Sequence, residues 1–90
     1  MFKLIYTNRF SKDIKLLQRR GCKMELLKGA IIELEKTGTL PIKNQPHKLS
    51  GNYNDIWEAH LKPDWLILWK VNPGSNEVWL IRSGTHSDLF

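Results

Sequence analysis

Apolar residues recur along this 90-residue chain in two rhythms, a helical one in the first half and an alternating one in the second. Phe10, Ile14 and Leu17 fall at i, i+4 and i+7, while Lys12, Lys15 and Arg19 repeat on the other side. A helix starting near Asn8 and ended by Gly21 would therefore carry opposed apolar and basic stripes, with Asn8 or Ser11 as its cap. Met24, Leu27, Ile31 and Leu34 extend the same period and predict a second amphipathic helix to about Thr37-Gly38. Lys3 to Thr7, rich in β-branched and aromatic residues, reads as a short strand that should join a later sheet. Leu40 to Pro46 has two prolines and no period, as expected of a returning loop.

Beyond the loop, His47-Lys48-Leu49 is a candidate short strand, followed by a turn at Ser50-Gly51-Asn52 and pairing with Tyr53 to Leu61. Ile56 to Leu61 and Trp65 to Val71 read as two strands of a hairpin, because Pro63 cannot donate to a ladder and Asp64 suits a turn. Asn72-Pro73-Gly74-Ser75 is a second turn, before a third strand from Glu77 to Arg82. Alternation puts Trp57, Ala59 and Leu61 toward a core and Ile56, Glu58 and His60 on the opposite face. In the next strand both sets, Trp65, Ile67, Trp69 and Val71 against Leu66 and Leu68, are apolar, which marks a central strand covered on both sides. The expectation is one α+β domain over residues 1–90: two N-terminal helices packed on a small, mainly antiparallel sheet in the order β-α-α-β-β-β.

In such a meander the end of the first hairpin strand, the start of the second and the end of the third share one edge. Arg82 is then expected near His60 and Asp64, with His86 four residues further on. Tryptophans of this strand read as core by default; Trp65, next to the turn, is the one allowed to line a site, where an exposed indole can stack on a base.

Composition narrows the partners. The net charge is +5, and six of the fourteen Lys and Arg residues lie between Arg9 and Lys23, so positive charge is concentrated in the segment that carries the Lys12, Lys15, Arg19 stripe. A localised positive surface is what phosphate binding requires, and a solvated helix face is the alternative reading of the stripe. No apolar run approaches a membrane span, and Met1 to Tyr6 is too short for a secretory signal, so a cytoplasmic location is expected. The lone Cys22 forms no internal disulfide and reads as a packing residue.

Metal chemistry is disfavoured. The three histidines and Asp64 lack close ligand spacing, and Lys62 and Arg82 sit among them, so no metal or other cofactor is expected. A serine hydrolase is disfavoured too, since Ser83 lies in no Gly-x-Ser-x-Gly elbow. RNA cleavage fits better: the substrate's own 2′-hydroxyl is the nucleophile, and the protein need supply only a base, an acid and a cation for the phosphorane.

Tyr6 to Asp13, Leu40-Pro41, His47 to Gly51, Glu58-Ala59-His60-Leu61-Lys62-Pro63-Asp64-Trp65 and Arg82-Ser83-Gly84-Thr85-His86-Ser87-Asp88-Leu89-Phe90 resemble, in this order, the YafQ-type toxins of the RelE superfamily of bacterial toxin–antitoxin systems. The resemblance spans essentially the whole chain. It implies a RelE-like α+β fold and a ribosome-dependent messenger RNA endonuclease, neutralised in a hetero-oligomer by a cognate antitoxin. The family's functional residues would fall on His47, His60, Asp64, Trp65, Arg82, His86 and Phe90, with His86 as general acid, Arg82 as phosphorane stabiliser, Asp64 or His60 as base and His47 positioning the phosphate. Trp57, beside Glu58, stands where a polar residue is expected. A ParE-like gyrase inhibitor and a non-catalytic nucleic-acid-binding protein are the rival readings.

Overall fold

Thr7, and neither Asn8 nor Ser11, caps the first helix. Its Oγ1 accepts the Phe10 amide at 3.2 Å and lies 2.8 Å and 3.2 Å from the carbonyls of Leu80 and Ile81, so the cap also ties the helix start to the last strand. A computed structural model of the chain describes residues 1–51 and 55–90; the expected turn residue Asn52 and strand start Tyr53 lie outside the described residues.

The elements are β1 (Lys3–Tyr6), α1 (Asn8–Arg19), α2 (Met24–Thr37), a single 3-10 turn (Ile42–Asn44), β2 (His47–Lys48), β3 (Trp57–Lys62), β4 (Trp65–Asn72), β5 (Glu77–Gly84) and α3 (His86–Leu89). Two differ from the expected order: the short strand at His47 forms as β2, and α3 was not foreseen. The sheet runs β1-β5-β4-β3-β2, with β1 parallel to β5 and every other pairing antiparallel.

The two periodicities pack against each other. Phe10 and Leu17 of α1 and Leu27 and Leu34 of α2 form one buried cluster with Trp65, Ile67, Trp69, Val78 and Leu80 of the sheet, while Ile14, Met24 and Ile31 are half-buried against it. α2 ends on Gly38, whose φ of +76° suits glycine and where a Cβ would meet the Phe2 ring at 2.9 Å. The Gly38 carbonyl accepts the indole N–H of the fully buried Trp69 at 3.2 Å, fixing the helix end to the sheet centre. Trp57 is half-buried and stacks on Trp69 at 6.2 Å, so its core assignment holds. β4 is central as expected, for Leu66 and Leu68 are buried outside the helix-side cluster. Glu58, expected on the open face, is also buried, because His47 of the added strand β2 sits opposite it.

β1 is shorter than its neighbour. It stops opposite Leu80, leaving the Ile81 to Gly84 half of β5 without a strand on that side. α1 closes this edge: buried Asp13 accepts the Ser83 amide at 3.0 Å.

Candidate active site

Pro63 and Asp64 form the whole turn between β3 and β4, and the register slips between His60 and Lys62, a bulge of the kind that re-aims side chains at sheet ends. Asp64 is thereby left at the tip. Across the sheet, β5 ends at Gly84 and the chain turns at once into α3 through a capping box: Thr85 Oγ1 accepts the Asp88 amide at 3.2 Å, and Asp88 Oδ2 accepts the Thr85 amide at 2.9 Å. A Cβ at Gly84 would lie 2.9 Å from the Asp88 carboxylate, so only glycine permits this close turn.

The capping box sets His86 in the first turn of α3, over the β3–β4 reversal. Asp64 Oδ1 meets His86 Nδ1 at 2.6 Å and accepts the His86 amide at 3.1 Å. These two bonds, the side-chain one first, hold the Asp64 carboxyl below its ordinary pKa. A carboxylate on Nδ1 fixes the ring and leaves Nε2 as the nitrogen open to a ligand. The His60 ring stands 6.1 Å from that of His86 at 45°. Its strand is anchored where Asn44 Nδ2 donates to the His60 carbonyl at 2.8 Å. His60, Asp64 and His86 are therefore brought together as expected.

Arg82 joins them less directly. It lies opposite Leu68 on β4, two register rows from the His60–Leu66–Gly84 row. Its guanidinium forms a fork on Asp13, Nε to Oδ2 at 2.7 Å and Nη2 to Oδ1 at 3.2 Å, and Nη2 also reaches the Asp88 carbonyl at 3.4 Å. The bond to Asp13 raises the Arg82 pKa further. Nη1 is the nitrogen these bonds leave for a ligand. A second fork holds α3: Arg20, just past α1, places Nη1 and Nη2 at 2.6 Å and 2.9 Å from the two oxygens of Asp88. Arg20, followed by the Thr85 amide, keeps the Asp88 carboxyl far below the usual range, and Asp88 in turn raises the Arg20 pKa.

His47 stands apart from the cluster. Its Nε2 lies 3.2 Å from Glu58 Oε1 and its Nδ1 3.0 Å from the Gln45 carbonyl, two residues along β3 from His60. Trp65 departs from its expected role: it is only 6 % exposed, and its indole N–H donates to Ser83 Oγ at 3.0 Å, so it offers no free ring face. Phe90 is exposed, its amide bonded to the His86 carbonyl at 2.9 Å. Lys12, Lys15 and Arg19 are all exposed, and among the described residues none is in an ion pair.

Sequence reasoning missed Asp13, Arg20 and Asp88. The Thr85-x-x-Asp88 spacing was a legible cap signal; the ion pairs from α1 to β5 and α3 had none. Among the described residues no three histidine, cysteine or acidic side chains are grouped as metal ligands, and no helix is long and apolar enough to cross a membrane. Two imidazoles, one oriented by a carboxylate, beside an arginine are equipped for proton transfer at an anionic centre.

Comparison with known proteins gives a concordant result. A family model described as the bacterial toxin of type II toxin–antitoxin systems, YafQ, matches residues 2–90. The mRNA interferase toxin YafQ of Escherichia coli K12 is 34% identical over 86 residues, covering 94% of this chain and 91% of the relative. Among solved structures, a metal-bound toxin from Helicobacter pylori superposes with a TM-score of 0.90 at 34% identity over all of both chains. YafQ in the Escherichia coli DinJ–YafQ complex gives 0.85 at 33% identity, over 100% of this chain and 99% of that one.

Proposed function

The chain belongs to the YafQ family of bacterial type II toxins, and from that premise we propose that it is an endoribonuclease that cuts messenger RNA on the ribosome without a metal. The contact that carries this reading is His86 Nδ1 on Asp64 at 2.6 Å, with His60 6.1 Å away. Asp64 is occupied in orienting His86, which supports His60 as the base. His60 takes the proton of the substrate 2′-hydroxyl, whose oxygen attacks the adjacent phosphorus. His86, held by Asp64 through Nδ1, gives a proton from Nε2 to the departing 5′-oxygen. The products are a 2′,3′-cyclic phosphate and a 5′-hydroxyl. Arg82 offers Nη1 to the phosphorane, and His47, held by Glu58 in the same register row as Arg82, positions the phosphate. Trp65 supports the site by packing, and Phe90 lies beside it as a substrate contact.

The exposed Lys12, Lys15, Arg19 stripe serves ribosomal RNA. A protein this small gains from a message that the ribosome already holds in order, because fixing a reactive geometry is worth ~7–11 kcal/mol. An antitoxin is the expected restraint in the cytoplasm, as DinJ is found with the Escherichia coli relative. A gyrase inhibitor would have no use for the His60, Asp64, His86 cluster.

Mapping new 5′ ends on programmed ribosomes tests this reading. Cuts within the translated message bearing 5′-hydroxyls are expected. A 5′-phosphate on the downstream fragment indicates attack by water and overturns the mechanism; absence of any cut overturns the function.

A further inference from the structure

A cleft of about 350 Å³ lies between the end of α1 and the β3–β4 turn, within the ~300–1,000 Å³ range of small-ligand sites. Leu17 and Cys22 line one side and Pro63 and Trp65 the other, giving an apolar slot. Lys23 and Lys62 are exposed at its rim, and neither is in an ion pair among the described residues. Arg20 also lines it, but its charge is spent on Asp88. The cleft is continuous with the candidate active site, because Asp64 and Thr85 belong to both. An apolar slot with two free cations, opening beside a phosphate-transfer centre, matches a nucleotide: a flat ring to enter and a phosphate to stay at the mouth.

Resting on the endoribonuclease reading, we propose that this cleft is a nucleobase subsite for the substrate nucleotide next to the scissile phosphate, with Lys23 and Lys62 holding that nucleotide's own phosphate. Trp65 contributes here as part of the apolar lining, in place of the exposed ring face considered from sequence. Asp64 at the rim is engaged by His86 Nδ1 at 2.6 Å. The subsite would make the enzyme sensitive to base identity at one position and explain how a chain without an exposed tryptophan at the turn still holds a base.

Cys22 is the chain's single cysteine and lines the cleft, so its alkylation by iodoacetamide reports occupancy. The toxin is bound to ribosomes programmed either with a message 2′-O-methylated across the decoding-site codon, which cannot be cut, or with one truncated before that codon. Alkylation at least threefold slower with the methylated codon is expected. Equal rates on the two, whether both protected or both open, overturn the proposal, the first case placing ribosomal RNA over the cleft. Cleavage of an unmethylated message, followed in parallel, reports the underlying reading independently. Filling the slot with Cys22→Phe is expected to raise KM about tenfold, the scale of one lost base stack, with kcat within about threefold. An unchanged KM in the folded variant overturns the proposal; if the variant does not fold, the alkylation rates decide.

Discussion

Two carboxylate pairs of nearly equal length serve opposite ends in this molecule. Arg82–Asp13 closes at 2.7 Å with side chains only 21% and 10% exposed, whereas His86–Asp64 closes at 2.6 Å with 55% and 67% exposed. Distance alone does not distinguish them. The first is largely shielded from water, satisfies the Ser83 amide as well, and joins α1 to β5. Breaking such a pair strands a charge where hydration is poor. The second stands in water, contributes little to folding, and keeps a ring nitrogen open to a ligand. What the sheet buries holds the frame, and what it leaves at the turn is free to do chemistry.

The largest expected effect falls on the buried pair. Asp13→Ala should cost ~3–5 kcal/mol, leaving Arg82 and the Ser83 amide unmatched. Thermal unfolding should show a midpoint lower by more than ~10 °C. A change within ~0.5 kcal/mol would erase the contrast.

On the exposed pair the loss should appear in rate. His86→Ala is expected to lower ribosome-bound cleavage ~10²–10³-fold, about 3–4 kcal/mol of transition-state stabilisation. The unfolding midpoint, measured on the same sample, should stay within about 2 °C of wild type. A large drop in the midpoint would mean that the pair is structural after all.

Arg20–Asp88 lies between the two, with side chains 41% and 18% exposed, and sharpens the comparison by its pH dependence. As a solvent-screened pair it should contribute little to stability. Because Asp88 titrates below its unfolded value near ~3.9, its stabilisation is present in full above that value and is lost as pH falls through the folded one. The stability gap between wild type and Asp88→Asn, from urea titrations, should be level from about pH 7 to pH 5 and close below about pH 4. A gap that widens in acid would contradict the assignment.

The contrast also explains what could be read before folding. Phe10, Ile14 and Leu17 announce α1 because a helix buries one face, and Trp65 to Val71 announces β4 because the strand is buried on both. His60, Asp64 and His86 could be brought together because meander geometry fixes which strand ends meet. Asp13 could not be paired with Arg82, for neither carries a mark of a partner 69 residues away. Trp65 was misjudged for the same reason: its place beside the turn was legible, but the Ser83 hydroxyl that draws its indole inward was not. Thr7 outcompeted Asn8 and Ser11 as cap because it is also held by the carbonyls of β5, a tertiary preference no local rule contains.

The short first strand has a consequence in time. β1 pairs only with β5, and the edge it leaves uncovered is closed by Asp13 reaching to Ser83, so the first quarter of the chain finds its place only after the last strand exists. Contacts this distant in sequence delay folding, since the intervening loop must close before any of them forms. During synthesis the helices can collapse early, but Arg82 and His86 are made only after α1, α2 and the first four strands. A chain that has not yet added β5 and α3 therefore carries neither a closed frame nor an assembled candidate site.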